Sequence, residues 1–130
     1  MTGNDVFAAA AAYLSQSTAD SEDLAPFVPL WLNVLLAECL PYENMLRAQQ
    51  GMEPLAEAPR LAQGAMDTDI PYREVILRTA LPYGLASEFW RDDDNDYRTQ
   101  DFRAKYISAL GELQQATPEP IADVYGPDAC

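Results

Sequence analysis

Apolar residues recur every three to four positions over most of this chain, and the recurring runs are separated by short clusters of Gly, Pro, Asp and Ser. That pattern predicts about four helices. The first runs through "DVFAAAAAYLSQ", where alanine favours helix, Asn4 or Thr2 supplies the cap and Asp5 complements the positive end of the dipole. It should end near Ser15. "STADSED" then reads as a polar connector, with Ser21, Glu22 and Asp23 marking the next helix start.

Residues 24–50, "LAPFVPLWLNVLLAECLPYENMLRAQQ", keep helical spacing up to Gly51, a natural C-terminal stop. Pro26 and Pro29 belong to the first turns, whereas Pro41 falls deeper, where loss of a backbone donor predicts a kink or a division into two helices. Between Leu30 and Leu40 only Asn33 and Glu38 are polar, so this helix has almost no water-facing side. The Gly-, Pro- and Ala-rich stretch 51–69 lacks periodicity. Such a length without structure is uncommon unless it has a task, and lying across a neighbour is one; a strand or hairpin inside it stays open.

Asp69 and Pro71 predict the start of a third helix through "YREVILRTALPYGLASEFWR", bent at Pro82 and Gly84 and apolar around most of its circumference. The fourth, about 95–115, is amphipathic: Phe102, Tyr106, Leu110 and Leu113 fall on one face, with Arg98, Asp101, Arg103, Lys105 and Glu112 outside it. The last stretch, "ATPEPIADVYGPDAC", has three prolines and no helical repeat, yet carries Ile121, Val124 and Tyr125. The organisation expected is an all-α helical domain over 1–116 and an extended docking tail over 117–130.

Charge narrows the function classes. The chain holds 21 acidic and 8 basic residues and no histidine, for a net charge of −13. All the bases except Arg47 and Arg60 lie between Arg73 and Lys105. Affinity for nucleic acid rests on clustered cations that release counterions, so this chain should repel DNA rather than bind it. Cys39 lies in an apolar run and Cys130 is the last residue. Two such cysteines give no disulfide framework, and without histidine or a CxxC pair a zinc site is not expected. "MTGNDVFAAAAAYLSQ" has no basic leader region and no stretch reaches the roughly 18 apolar residues of a membrane span, so a soluble, unprocessed protein without a membrane partner is expected.

Four aspartates, Asp92, Asp93, Asp94 and Asp96, suggest calcium, because alternate carboxylates match the first ligands of an EF-hand loop. Tyr97 at the glycine position and Arg103 at the twelfth break that match, and a solvated turn bounding two helices, facing solvent or a channel, is the better reading. Glu38 and Glu43 flank Pro41, and paired carboxylates serve as acid and base where their environments differ. No nucleophile–base pair and no phosphate loop accompanies them, so catalysis is not expected and Cys39 reads as a small core residue. Trp31, Tyr83, Phe89, Trp90, Phe102 and Tyr106 read as core aromatics. Two helices apolar nearly all round also point to oligomer contacts, head-to-tail in a ring, where Trp and Tyr serve as anchors.

Taken in order, the short first helix, "WLNVLLAECLPYENMLR", "DIPYREVILRTALPYGLASEFWRDDD", the closing helix "YRTQDFRAKYISAL" and the tail "PEPIADVY" resemble the head-to-tail connector adaptors of tailed double-stranded DNA bacteriophages. The likeness covers most of the chain and rests on the helix order, the "LPYGLA" helix with its Asp-rich turn, and Phe102 with Tyr106. It implies a structural virion protein at the head–tail interface, made in the host cytoplasm and without a cofactor. Twelve identical subunits would form a ring beneath the portal protein, extend the channel through which duplex DNA passes, and present a platform to the next neck or tail protein. The resemblance assigns Ile121, Val124 and Tyr125 to docking on the portal or a neighbouring subunit. An acidic lumen would let the duplex slide. The alternative is an acidic regulatory module, a DNA mimic or anti-repressor, that binds a basic partner.

Overall fold

Thr2 begins the first helix: its hydroxyl accepts from the Asp5 N–H at 3.2 Å while the Asp5 carboxylate accepts from the Thr2 N–H at 2.8 Å. Each satisfies a donor that the helix end leaves open. The Thr2 N–H holds the Asp5 carboxyl below the usual carboxylate range, so the cap is complete at neutral pH and weakens as acid protonates the group. The structure, a computed structural model, describes residues 1–16 and 19–116. Four helices follow in order: α1 Gly3–Ala12, α2 Val28–Gln49, α3 Leu81–Asp92 and α4 Asp96–Ala116. The fold is all-α, and the nearest thing to a strand among the described residues is one antiparallel bridge between Thr2 and Asp69. Ile121, Val124 and Tyr125 lie outside the described residues.

The helix α3 occupies the centre and packs against the other three. Val6, Phe7, Ala10 and Ala11 of α1, Leu32, Leu35, Leu36 and Cys39 of α2, and Phe102, Tyr106, Leu110 and Leu113 of α4 are buried around its Leu81, Leu85 and Phe89. Gly84 makes the packing close. A Cβ there would sit 2.8 Å from Leu35 Cδ2 and 3.1 Å from the Tyr106 ring, so the glycine serves contact between helices rather than the bend expected from it.

The turn before α3, Ile76–Ala80, is wound as a π-helix in which the Leu81 N–H reaches back five residues to the Ile76 carbonyl. Pro82 follows directly and has no N–H to give. Widening the turn upstream moves the preceding carbonyls off the ring, so the proline is absorbed without ending the helix. Pro41 likewise leaves α2 undivided, as one helix of 22 residues.

Two helix starts differ from the sequence expectation. Leu24 lies ahead of a short 3₁₀ turn, Ala25–Phe27, and α2 begins only at Val28, because Pro26 and Pro29 remove early donors. Ser21 is buried and donates to Gln16 Oε1 at 2.7 Å instead of capping a helix. The third helical stretch begins at 74 rather than at Asp69, whose backbone bridges to Thr2.

Three helices close alike. After α1, α2 and α3 one residue turns left-handed: Ser15 at φ 59°, Gly51 at φ 72° and Asp94 at φ 56°. The next N–H then reaches back to an open helix carbonyl, as Asn95 does to Trp90 at 3.0 Å. Asn95 also accepts from the Arg98 N–H at 3.0 Å, so one tight turn ends α3 and caps α4. Asp94→Gly is expected to gain about 0.5–1 kcal/mol by removing the left-handed penalty, read as a rise in thermal midpoint; an unchanged or lower midpoint would show that the aspartate side chain stabilises this turn.

Candidate functional site

The connector 51–69 lies along the chain's own α2. Asn33 accepts from the Leu61 N–H at 2.7 Å and donates to the Leu61 carbonyl at 3.0 Å, and Asn44 does the same for Leu55 at 2.8 and 3.1 Å. Each amide replaces a missing backbone partner. The two asparagines are eleven residues apart, about 16 Å of helix, and the six steps from Leu55 to Leu61 cover that span in extended form. The connector therefore runs antiparallel to α2, held along its own helix by these two asparagines.

Beside these hooks lies a buried carboxylate that the sequence did not single out as structural. Glu43 is fully buried; its Oε2 accepts from Arg47 Nε at 2.5 Å and faces Arg73 Nε at 3.6 Å, while Oε1 accepts from the Arg73 N–H at 2.6 Å. It thus caps the third helical stretch from another helix, in the place expected of Asp69. Arg47 donates onward to the carbonyls of Glu53 at 3.1 Å and Pro71 at 2.7 Å, tying both ends of the connector to one ion cluster. Glu38 sits elsewhere. Five residues from Glu43, about 140° around the helix, it meets Arg103 at 3.3 Å and accepts from the Tyr106 hydroxyl at 2.9 Å. The two glutamates do not form an acid–base pair.

Tyr106 gives its one proton to Glu38, so the Cys39 thiol, 3.5 Å from the same oxygen, donates to it. Burial pushes the Cys39 thiol up to about 11 and also raises the Tyr106 phenol. Neither is an activated nucleophile at neutral pH. In a chain carrying Cys130→Ser, Cys39 is expected to resist a thiol reagent at about pH 8 until denaturant is added; labelling of the folded chain would contradict this burial. Val34, Glu38, Ser87, Glu88, Arg91 and Arg103 line a cleft of about 390 Å³ beside the network. Its charges are mutually engaged: Arg91 pairs with Glu88, and Arg103 with Glu38.

The aspartates Asp92, Asp93, Asp94 and Asp96 are exposed in the α3–α4 turn, and no group of three or more His, Cys, Asp or Glu among the described residues is placed to hold a metal ion. Phe89, Phe102 and Tyr106 are buried. Trp31 and Trp90 are half-buried, Trp31 between Phe27 and Phe89, Trp90 beneath the Arg98 guanidinium at 5.5 Å. The core therefore takes Phe89, Phe102 and Tyr106, while Trp31 and Trp90 stay partly exposed.

What faces outward instead is a row the sequence reading missed. Phe27, Leu30 and Val34 are 49%, 64% and 56% exposed, and Ala37 and Pro41 continue the line. Their spacing, 27, 30, 34, 37, 41, alternates three and four, the repeat of a coiled-coil seam. Residues Ala25–Gln49 are, contrary to the expectation that no stretch qualifies, long and apolar enough to cross a membrane by length and composition. In this fold the inner side packs on α3, and Asn33, Glu38, Glu43 and Asn44 are engaged as described. On α4, Tyr97 is 80% and Ile107 57% exposed. Comparison with family models, with curated proteins and with solved structures returns no match.

Proposed function

We propose that this chain is a structural, non-enzymatic subunit of a tailed double-stranded DNA phage virion, an adaptor that stacks in a ring between the portal and the neck or tail and lengthens the DNA channel. The observation that supports this best is an outward apolar row on α2, with exposed Tyr97 and Ile107 on α4, over an interior in which Glu43 and Cys39 are both bonded. A chain whose buried carboxylate and thiol are committed to packing, and whose unmet surface is apolar and linear, is suited to assembly. The net charge of −13 fits a conduit that duplex DNA passes without sticking.

Co-expression with its native gene neighbours is the direct test. The tagged chain should retain the portal, and alanine at Ile121, Val124 and Tyr125 together should lose it. A tight, salt-sensitive complex with free duplex DNA at about 0.15 M salt would contradict the conduit. The exposed run Asp92, Asp93, Asp94 and Asp96 favours a second reading, an acidic module that imitates phosphates for a basic partner. Recovery of one basic DNA-binding protein and no virion component would favour it over the first.

A further inference from the structure

We infer that Ile121, Val124 and Tyr125, before any partner takes them, fill the groove between α4 and the turn leading into α3 of the same subunit. The inference rests on the adaptor reading for the role of those three residues, and deepens it by giving the docking tail a resting place that a partner must empty.

Val75, Thr79 and Tyr83 stand four residues apart on one wall of this groove, and Ala104, Ala109 and Leu113 lie on the other, around a volume of about 540 Å³. The first wall is mostly apolar: Val75 is 42% exposed, and the Thr79 hydroxyl is turned back to the Val75 carbonyl. One end of the groove is at Leu113, three residues before Ala116, where α4 ends. Pro118 and Pro120 come next in the sequence, and neither residue type continues a helix. A chain that leaves Ala116 and turns back along α4 enters the groove within a few residues.

Spacing and charge agree with that path. Extended, Ile121 to Tyr125 spans about 13 Å, and eight helical residues, as from Leu113 back to Lys105, span about 12 Å. With Ile121 beside Leu113 and Ala109, Val124 comes level with Ala104 and Tyr125 with Tyr83, which packs on Phe102 at the far end. Asp123, the one acid among residues 121–125, then comes level with exposed Lys105, whose ammonium it shares with Asp101 at 3.1 Å. Glu112 and Asp101 fall at the two ends of that span rather than within it. The tether selects this groove over the same groove of a second copy. A link of a few residues keeps the anchors at an effective concentration on the order of millimolar, and its two prolines lower the freedom lost on docking.

The test uses the full-length chain with Cys130→Ser; Cys39 stays out of the exchange because it is buried. Ala122→Cys is combined with Ser108→Cys, which lines the groove, or with Ile107→Cys, exposed, outside the groove and about 100° around α4. The two partners are one residue apart, so the tether favours them equally. In dilute solution under mild oxidation the Ser108 pair should form its intramolecular disulfide at least tenfold faster than the Ile107 pair, at a rate independent of concentration. Alanine at Ile121, Val124 and Tyr125 should bring the two rates together. Equal rates with the parent anchors, or disulfides formed mainly between chains, would overturn the inference. If that triple substitution loses the portal while the two parent rates are equal, the adaptor reading stands and only the resting place is wrong.

Discussion

Glu43→Ala is expected to cost about 3–5 kcal/mol of folding stability, because it removes the only carboxylate of a buried cluster and leaves two arginines facing each other. Arg47 Nε at 2.5 Å and Arg73 Nε at 3.6 Å lose their counterion, and the Arg73 N–H loses its acceptor. Urea unfolding reads the loss as a lower midpoint. The damage should spread along the connector, since Arg47 also holds the carbonyls of Glu53 and Pro71. Exposed Arg60 provides a second readout: tryptic cleavage after it should accelerate in Glu43→Ala more than in a core variant of equal stability. Glu43→Gln keeps an oxygen for the Arg73 N–H and should lose less. A Glu43→Ala chain as stable as the parent would show that the cluster contributes nothing net.

Phe89→Ala is expected to cost a similar amount, about 3–5 kcal/mol, by a different route. The ring is 1% exposed at the centre of α3, 5.8 Å from both Phe7 and Trp31, so it joins α1 and α2 to the central helix. Its removal leaves a cavity between three elements that cannot all close on it. The connector hooks at Asn33 and Asn44 bond to Leu61 and Leu55 and keep those bonds in this variant, so cleavage after Arg60 should rise only in proportion to global stability. A loss below about 1 kcal/mol would mean that the core collapses to fill the space.

The helices themselves were legible because each signal was local. Phe102, Tyr106, Leu110 and Leu113 repeat along a single face, and all four are buried. Gly51 stops α2 because a left-handed residue is needed there, and the aspartate turn closes α3 by the same geometry at Asp94. The connector was not legible, because its partners are distant along the chain: Leu61 pairs with Asn33 across 28 residues, and Arg73 with Glu43 across 30. A lone asparagine in an apolar run and a glutamate beside a proline carry no mark of such partners. The start of the third helical stretch was misplaced for the same reason, since its cap comes from α2 and not from the preceding aspartate.

The direction of the apolar faces was also hidden. A helix apolar nearly all round does not tell which side the core takes, and here the core took Phe89, Phe102 and Tyr106 while Phe27, Leu30 and Val34 turned outward. Spacing held part of that answer, since 27, 30, 34, 37 and 41 form a seam distinct from the inward set 28, 32, 35, 36 and 39. Which set is the seam and which is the core is decided only once α3 has docked.

The central claim, a structural adaptor that rings the DNA channel, is tested most directly by electron cryomicroscopy of purified portal assemblies incubated with this chain. The account predicts an added ring of helical density on one end of the portal, coaxial with its channel, that is absent when Ile121, Val124 and Tyr125 are replaced by alanine. Portal particles that remain bare at saturating chain, with the chain separately folded and stable, would contradict it.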